Sequence, residues 1–121
     1  MKNIMQKTIT FLMFGGDQCG KAEEAIMFYT SLFKNSEVKS IEHFKRGDPQ
    51  GTEGSVKYAL FTIDGLGDMA IDSSMEHNFA FTPSISIYVK CENANETDTL
   101  FDKLSNGGKV FMPLNKYPFS N

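Results

Sequence analysis

The sequence predicts an α+β fold made of tandem βαβββ modules, the second incomplete at its C-terminal end. Three observations carry this. Short β-branched and aromatic runs alternate with Gly-rich or polar breaks. A single amphipathic helix stands between the first two of those runs. The strand-then-helix pattern begins again at Ser84, 76 residues after Thr8.

The first strand is read over Thr8 to Phe14 and ends at Gly15-Gly16. The helix that follows places Ala22, Ala25, Ile26, Tyr29, Leu32 and Phe33 on one stripe, with Glu23, Glu24 and Thr30 off it. Three more strands are predicted at Val38 to Phe44, Val56 to Ile63 and Met69 to Ser73. Gly47 to Gly54 is a polar loop, and Asp64-Gly65-Leu66-Gly67 a hairpin turn.

In the second copy, Ser84-Ile85-Ser86-Ile87-Tyr88-Val89 matches Thr8 to Met13 in character. A second helix runs from about Asn95 to Ser105, with Leu100, Phe101 and Leu104 on its stripe. Asn93 three residues before Glu96 resembles a capping arrangement, and Gly107 supplies the stop. One more strand starts near Lys109 to Met112. The tail with Pro113 and Pro118 does not read as a replacement strand. The expected organisation is a single domain over 1–121, with module one at about 8–74 and an incomplete module two at 84–121.

Composition narrows the function. The chain of 121 residues is 40% hydrophobic with a net charge of −3, which is globular and argues against a nucleic-acid surface. Arg46 is the only arginine, so a site built from several bidentate guanidinium contacts is excluded. Two cysteines, Cys19 and Cys91, are too few for a disulfide scaffold, and no apolar run is long enough to span a membrane. These features predict a cytoplasmic protein without membrane or nucleic-acid partners.

Strand alternation offers a site. On the first strand Ile9, Phe11 and Met13 oppose Thr8, Thr10, Leu12 and Phe14; on the restart strand Ile85, Ile87 and Val89 oppose Ser84, Ser86 and Tyr88. If each helix covers the Ile-bearing face, the opposite faces line a moderately polar cavity. A solvent-exposed sheet face would suit the same hydroxyls. The expected pocket residues are Thr10, Leu12, Asp72, Ser84, Ser86 and Tyr88, with Phe14 or Phe61 as apolar wall. Asp72, at the end of a strand, is the best candidate for an acid, a base or a hydrogen-bonding group. The alternative is a turn-initiating Asp before Ser73-Ser74.

The run Thr10-Phe11-Leu12-Met13-Phe14, the helix Ala22-Glu23-Glu24-Ala25-Ile26-Met27-Phe28-Tyr29-Thr30-Ser31-Leu32-Phe33, the strand Met69-Ala70-Ile71-Asp72 and the stretch Pro83 to Val89 resemble the PhnB-like proteins. This branch, also labelled 3-demethylubiquinone-9 3-methyltransferase-like, belongs to the vicinal-oxygen-chelate superfamily of glyoxalases, bleomycin-resistance proteins and extradiol dioxygenases. The resemblance implies two βαβββ modules forming a curved sheet around a cavity, usually in a homodimer, and a full chain two strands longer. It also implies where a metal would sit: a His on the first strand of each module and Glu on later strands. Those places fall on Thr10, Ser84 and a position near Ala70 or Asp72. Neutral hydroxyls replace imidazole there, so no superfamily-type metal and no cofactor are expected. No adenosylmethionine-binding pattern accompanies the methyltransferase label, because hairpin-like strands follow the single Gly-rich turn.

Other motifs weigh less. Gly15-Gly16-Asp17-Gln18-Cys19-Gly20-Lys21 has phosphate-loop spacing, but Ala22 stands where a Ser or Thr must hold the metal. Cys19, beside Lys21 near a helix start, is in a setting that can lower a thiol pKa, but an ordinary exposed thiol is the better reading, since the sequence places no His beside it. The leading expectation is a metal-free small-molecule-binding homodimer. The alternatives are a metal-dependent lyase, isomerase or dioxygenase-like enzyme using His43, His77 or Asp72, and a strand-exchanging dimerisation or partner-binding module whose open sheet edge recruits a strand.

Overall fold

In the computed structural model, which describes residues 6–76, 79, 81, 82 and 84–110, the elements follow the order β1 (Thr10–Phe14), α1 (Ala22–Leu32), β2 (Glu37–His43), β3 (Val56–Ile63), β4 (Leu66–Asp72) and α2 (Ala94–Ser105). The chain divides into two compact units, Met1–Ser84 and Ile85–Asn121.

The first unit is an α+β βαβββ module. Its sheet has the order β1-β4-β3-β2, with β1 parallel to β4 and the other pairs antiparallel. A tight hairpin joins β3 to β4, with Ile63 opposite Leu66 across only two residues. Asp64 (φ 51°) and Gly65 (φ 80°) both take the left-handed conformation that a type I′ turn requires. The turn is therefore shorter than expected, and Leu66 and Gly67 belong to β4.

The predicted stripe of α1 is the one that buries. Ala22 and Ile26 are fully enclosed with Phe14, Val56, Ala59, Phe61 and Ala70, and Leu12, Ala25, Val38, Ile41 and Ile63 pack around them. Each large side chain enclosed in this way contributes about 1.5–3 kcal/mol.

In the second unit, α2 is capped as its sequence suggests. The Asn93 side chain accepts from the Glu96 N–H at 2.8 Å, and Glu96 accepts from the Glu92 N–H at 2.6 Å. Leu100 is its buried residue. The expected strand over Ser84 to Val89 does not form. Alternation alone makes no strand without a neighbouring ladder, and none among the described strands pairs with this segment. Ile85, Ile87 and Tyr88 are exposed. Lys109 and Val110 are likewise outside any strand, and the rest of the expected last strand lies outside the described residues.

Candidate functional site

The register assigns every strand residue of the first unit to one of two faces. One row runs Leu12–Ala70–Ala59–Ile41, and the next Phe11–Met69–Leu60–Ser40. The first row belongs to the core shared with α1. The helix thus covers the face of Leu12 and Phe14, and the face of Phe11 and Met13 lies opposite it. This reverses the expected assignment. The reason is steric: Ala59 and Ala70 on the sheet meet Ala22 and Ala25 on the helix, small residues that allow close approach. Leu60 and Met69 on the other face would hold a helix away.

Asp72 ends β4 on the helix-covered face and is only 3% exposed. Its Oδ1 accepts from the backbone N–H groups of Gly20 at 2.7 Å and Ala22 at 3.2 Å, and its Oδ2 from Val56 at 2.8 Å. One carboxylate therefore satisfies two donors at the start of α1 and one at the start of β3. The adjoining Ser73 N–H donates to the Phe14 carbonyl at 3.0 Å, continuing the link from β4 to β1. Gly20 reaches Asp72 with φ +93°, a conformation that side-chain-bearing residues avoid. Asp72 also closes the phosphate-loop reading. The loop N–H groups that would cradle an anion already hold this carboxylate.

Beside Gly20 lies a cleft of about 350 Å³ lined by Cys19, Gly20, Thr52, Glu53, Gly54 and Ser55. Burial, and then the nearby negative charge of Asp72, push the Cys19 thiol above its usual 9.0. The lowering that a helix start and Lys21 can bring is thus outweighed, and Cys19 is an ordinary thiol, not a thiolate, near neutral pH.

Asp68 lies on the helix-covered face, in register with Thr10 and Phe61. Burial raises its pKa above the ordinary 3.8. The folded state therefore holds this proton more tightly than the unfolded chain, and its stability falls as pH rises from 3.8 through the raised value. Asp68→Asn is expected to melt higher than the parent at pH 7. The two melting temperatures should converge below pH 3.8; a constant difference across the titration would contradict this origin.

The remaining expected site residues fall as follows. Thr10 is exposed at the start of β1, on the helix-covered side. Leu12 packs against the core, and Phe14 and Phe61 are within it, so these apolar groups wall no cavity. Ser84, Ser86 and Tyr88 are exposed and outside any strand. His43 pairs with Glu23 through Nε2 and Oε1 at 2.7 Å on the surface, and His77 lies outside the described residues. Among the described residues no three His, Cys, Asp or Glu side chains gather to hold a metal. The family-type donor set does not fit here. Thr10 and Asp72 share the helix-covered face, and both carboxylate oxygens of Asp72 are engaged by N–H groups.

The face opposite α1 has different chemistry. Phe11, 53% exposed, and the half-buried Met13, Met69 and Ile71 adjoin buried Leu60. Toward β2 the same rows end in Ser40, Tyr58 and Glu42. The Thr62 hydroxyl on this side accepts from the Glu37 N–H at 3.2 Å. The result is an apolar, thioether-rich surface with a polar margin. Sequence reasoning set Phe11 and Met13 against the helix. The alanines at 59 and 70, matched to those at 22 and 25, were the signal that places them elsewhere.

A four-stranded βαβββ sheet with its helix on one face and an apolar surface on the other places this chain in the glyoxalase, or vicinal-oxygen-chelate, superfamily. The family model for 3-demethylubiquinone-9 3-methyltransferase matches residues 6–119, and the chain belongs to that family. A solved PhnB protein from Bacillus cereus, described as a 3-demethylubiquinone-9 3-methyltransferase, is 53% identical with a TM-score of 0.88; the match covers 95% of this chain and 85% of that one. A solved protein from Staphylococcus aureus is 33% identical, over 95% of this chain and 80% of that one, with a TM-score of 0.47. Among curated proteins none matches the chain.

Proposed function

We propose that this PhnB-like chain binds a small amphiphilic molecule on the sheet face opposite α1. The observation that carries the reading is Phe11, an aromatic side chain 53% exposed beside the half-buried Met13, Met69 and Ile71 on the same face. What supports binding is contiguity, since an apolar patch of adjoining residues, and not a single exposed ring, is what binding surfaces present. The apolar body of the ligand packs on Phe11, Met13, Met69 and Ile71, and its polar end meets Tyr58, Ser40 and Glu42. Asp72 has no part in this contact, since it lies on the other face with its oxygens occupied.

Methyl transfer, the activity in the name of the Bacillus cereus relative, finds less support. An adenosylmethionine fold of the doubly wound type needs a parallel sheet with a free Gly-rich turn. Among the described strands only β1 and β4 run parallel, and the turn is tied to Asp72.

The test is a titration with 8-anilinonaphthalene-1-sulfonate beside calorimetry with adenosylmethionine. Saturable dye binding is expected in the parent and in Ser86→Lys, weakened at least about tenfold in a folded Met69→Lys variant, the equivalent of about 1.4 kcal/mol. No adenosylmethionine heat is expected. Dye binding indifferent to Met69→Lys, or saturable adenosylmethionine binding, would overturn the reading.

A further inference from the structure

Two places in the chain set an Asp or Asn directly before a glycine, Asp64-Gly65 and Asn106-Gly107. The fold treats them differently. Asp64-Gly65 forms the tight turn between β3 and β4, and the Gly65 N–H is held by the Asn35 carbonyl at 2.8 Å. Asn106 caps the C-terminal end of α2 and is exposed. The turn there is closed further along, by the Gly108 N–H donating to the Ser105 carbonyl at 2.9 Å. Gly107 takes a φ of +77°, and a Cβ built on it would meet nothing within 4 Å. Other described asparagines are placed otherwise. The Asn93 side chain is engaged by the Glu96 N–H, Asn95 lies inside α2, and Asn35 precedes Ser36.

We propose that Asn106 is a site of spontaneous covalent modification, deamidating through a cyclic imide with Gly107, with water as co-reactant. Hydroxide takes the proton of the Gly107 nitrogen, which attacks Cγ of Asn106. The N–Cγ bond forms, the bond from Cγ to Nδ2 breaks, and ammonia leaves after taking a proton back from water. Water then opens the ring at either carbonyl carbon and leaves aspartate or isoaspartate; nothing is oxidised or reduced. In the resting turn the ψ of Asn106 is 116°, which holds the nitrogen away from Cγ, so closure requires this bond to rotate. A following glycine has no Cβ to hinder the rotation, and the open space around Gly107 lets it proceed while α2 stays folded. At Gly65 the same rotation must break the hairpin. Each conversion makes the net charge of −3 one unit more negative and sets a carboxylate at the negative end of the α2 dipole. The site lies in the second unit and does not depend on the ligand reading.

Incubation of the full chain at mildly alkaline pH, followed by tryptic digestion, tests the proposal. Cleavage after Lys103 and Lys109 isolates residues 104–109, in which Asn106 carries the only side-chain amide. This peptide is expected to gain the mass of one amide-to-acid exchange and to split into aspartyl and isoaspartyl forms. Its conversion in the folded chain is expected to run within about tenfold of the rate in urea, and to slow at least about tenfold in Gly107→Ala and in Asn106→Gln. Isoaspartate at residue 64 is expected in urea only. A peptide that stays amidated in the folded chain while it converts in urea would overturn the proposal. So would a rate unchanged by Gly107→Ala. Isoaspartate appearing at residue 64 of the folded chain as fast as at 106 would equally overturn it, because the fold would then not separate the two sites.

Discussion

Asp72→Ala is expected to lower the free energy of unfolding by about 4 kcal/mol, because it strands three backbone N–H groups at once, each costing about 1–3 kcal/mol when left buried without an acceptor. The donors at Gly20, Ala22 and Val56 come from the starts of α1 and β3, far apart in sequence, and Asp72 accepts from all three. Asp72→Asn keeps one carbonyl oxygen but turns an amide N–H₂ toward a donor, and is expected to cost about 2 kcal/mol. Urea unfolding followed by circular dichroism reads both losses as shifts of midpoint at constant slope. A loss below about 1 kcal/mol for Asp72→Ala would mean that water replaces the carboxylate, contrary to its burial. A carboxylate committed in this way holds α1 and β3 to β4, and its value to the protein is measured in stability.

The second large effect separates the two faces. Phe61→Ala is expected to cost about 4 kcal/mol, since Phe61 is wholly enclosed between the sheet and α1. Phe11→Ala, on the same sheet but the other face, is expected to cost less than about 1 kcal/mol. The same pair of urea curves checks both. Equal losses would mean that the face of Phe11 is as closely packed as the helix side. The contrast bears on the proposed function, because the binding proposed for Phe11 needs a residue whose packing the fold does not depend on.

Much of the first module was legible before its structure. The stripe of α1 follows from residues three and four apart, and the Asp64-Gly65 turn from the two residue types that tolerate positive φ. Asn93 and Glu96 mark the start of α2 for the same local reason. The candidate site was less legible. Thr10, Leu12 and Asp72 do share a face, as alternation requires, but the helix lies on that face. Ser84, Ser86 and Tyr88 carry a strand pattern that finds no ladder among the described strands.

What the sequence determined by itself is whatever depends on neighbours within a turn or two: the order of elements, the helix stripe, the caps, the hairpin. Only the tertiary structure decided which side of β1 the helix covers, because both sides are apolar and alternation is indifferent to the choice. Small residues on β3, β4 and α1 settled it by letting backbones approach. The part played by Asp72 was likewise beyond local reading. Its bonds reach 52, 50 and 16 residues along the chain, and only the folded sheet brings those donors to one carboxylate.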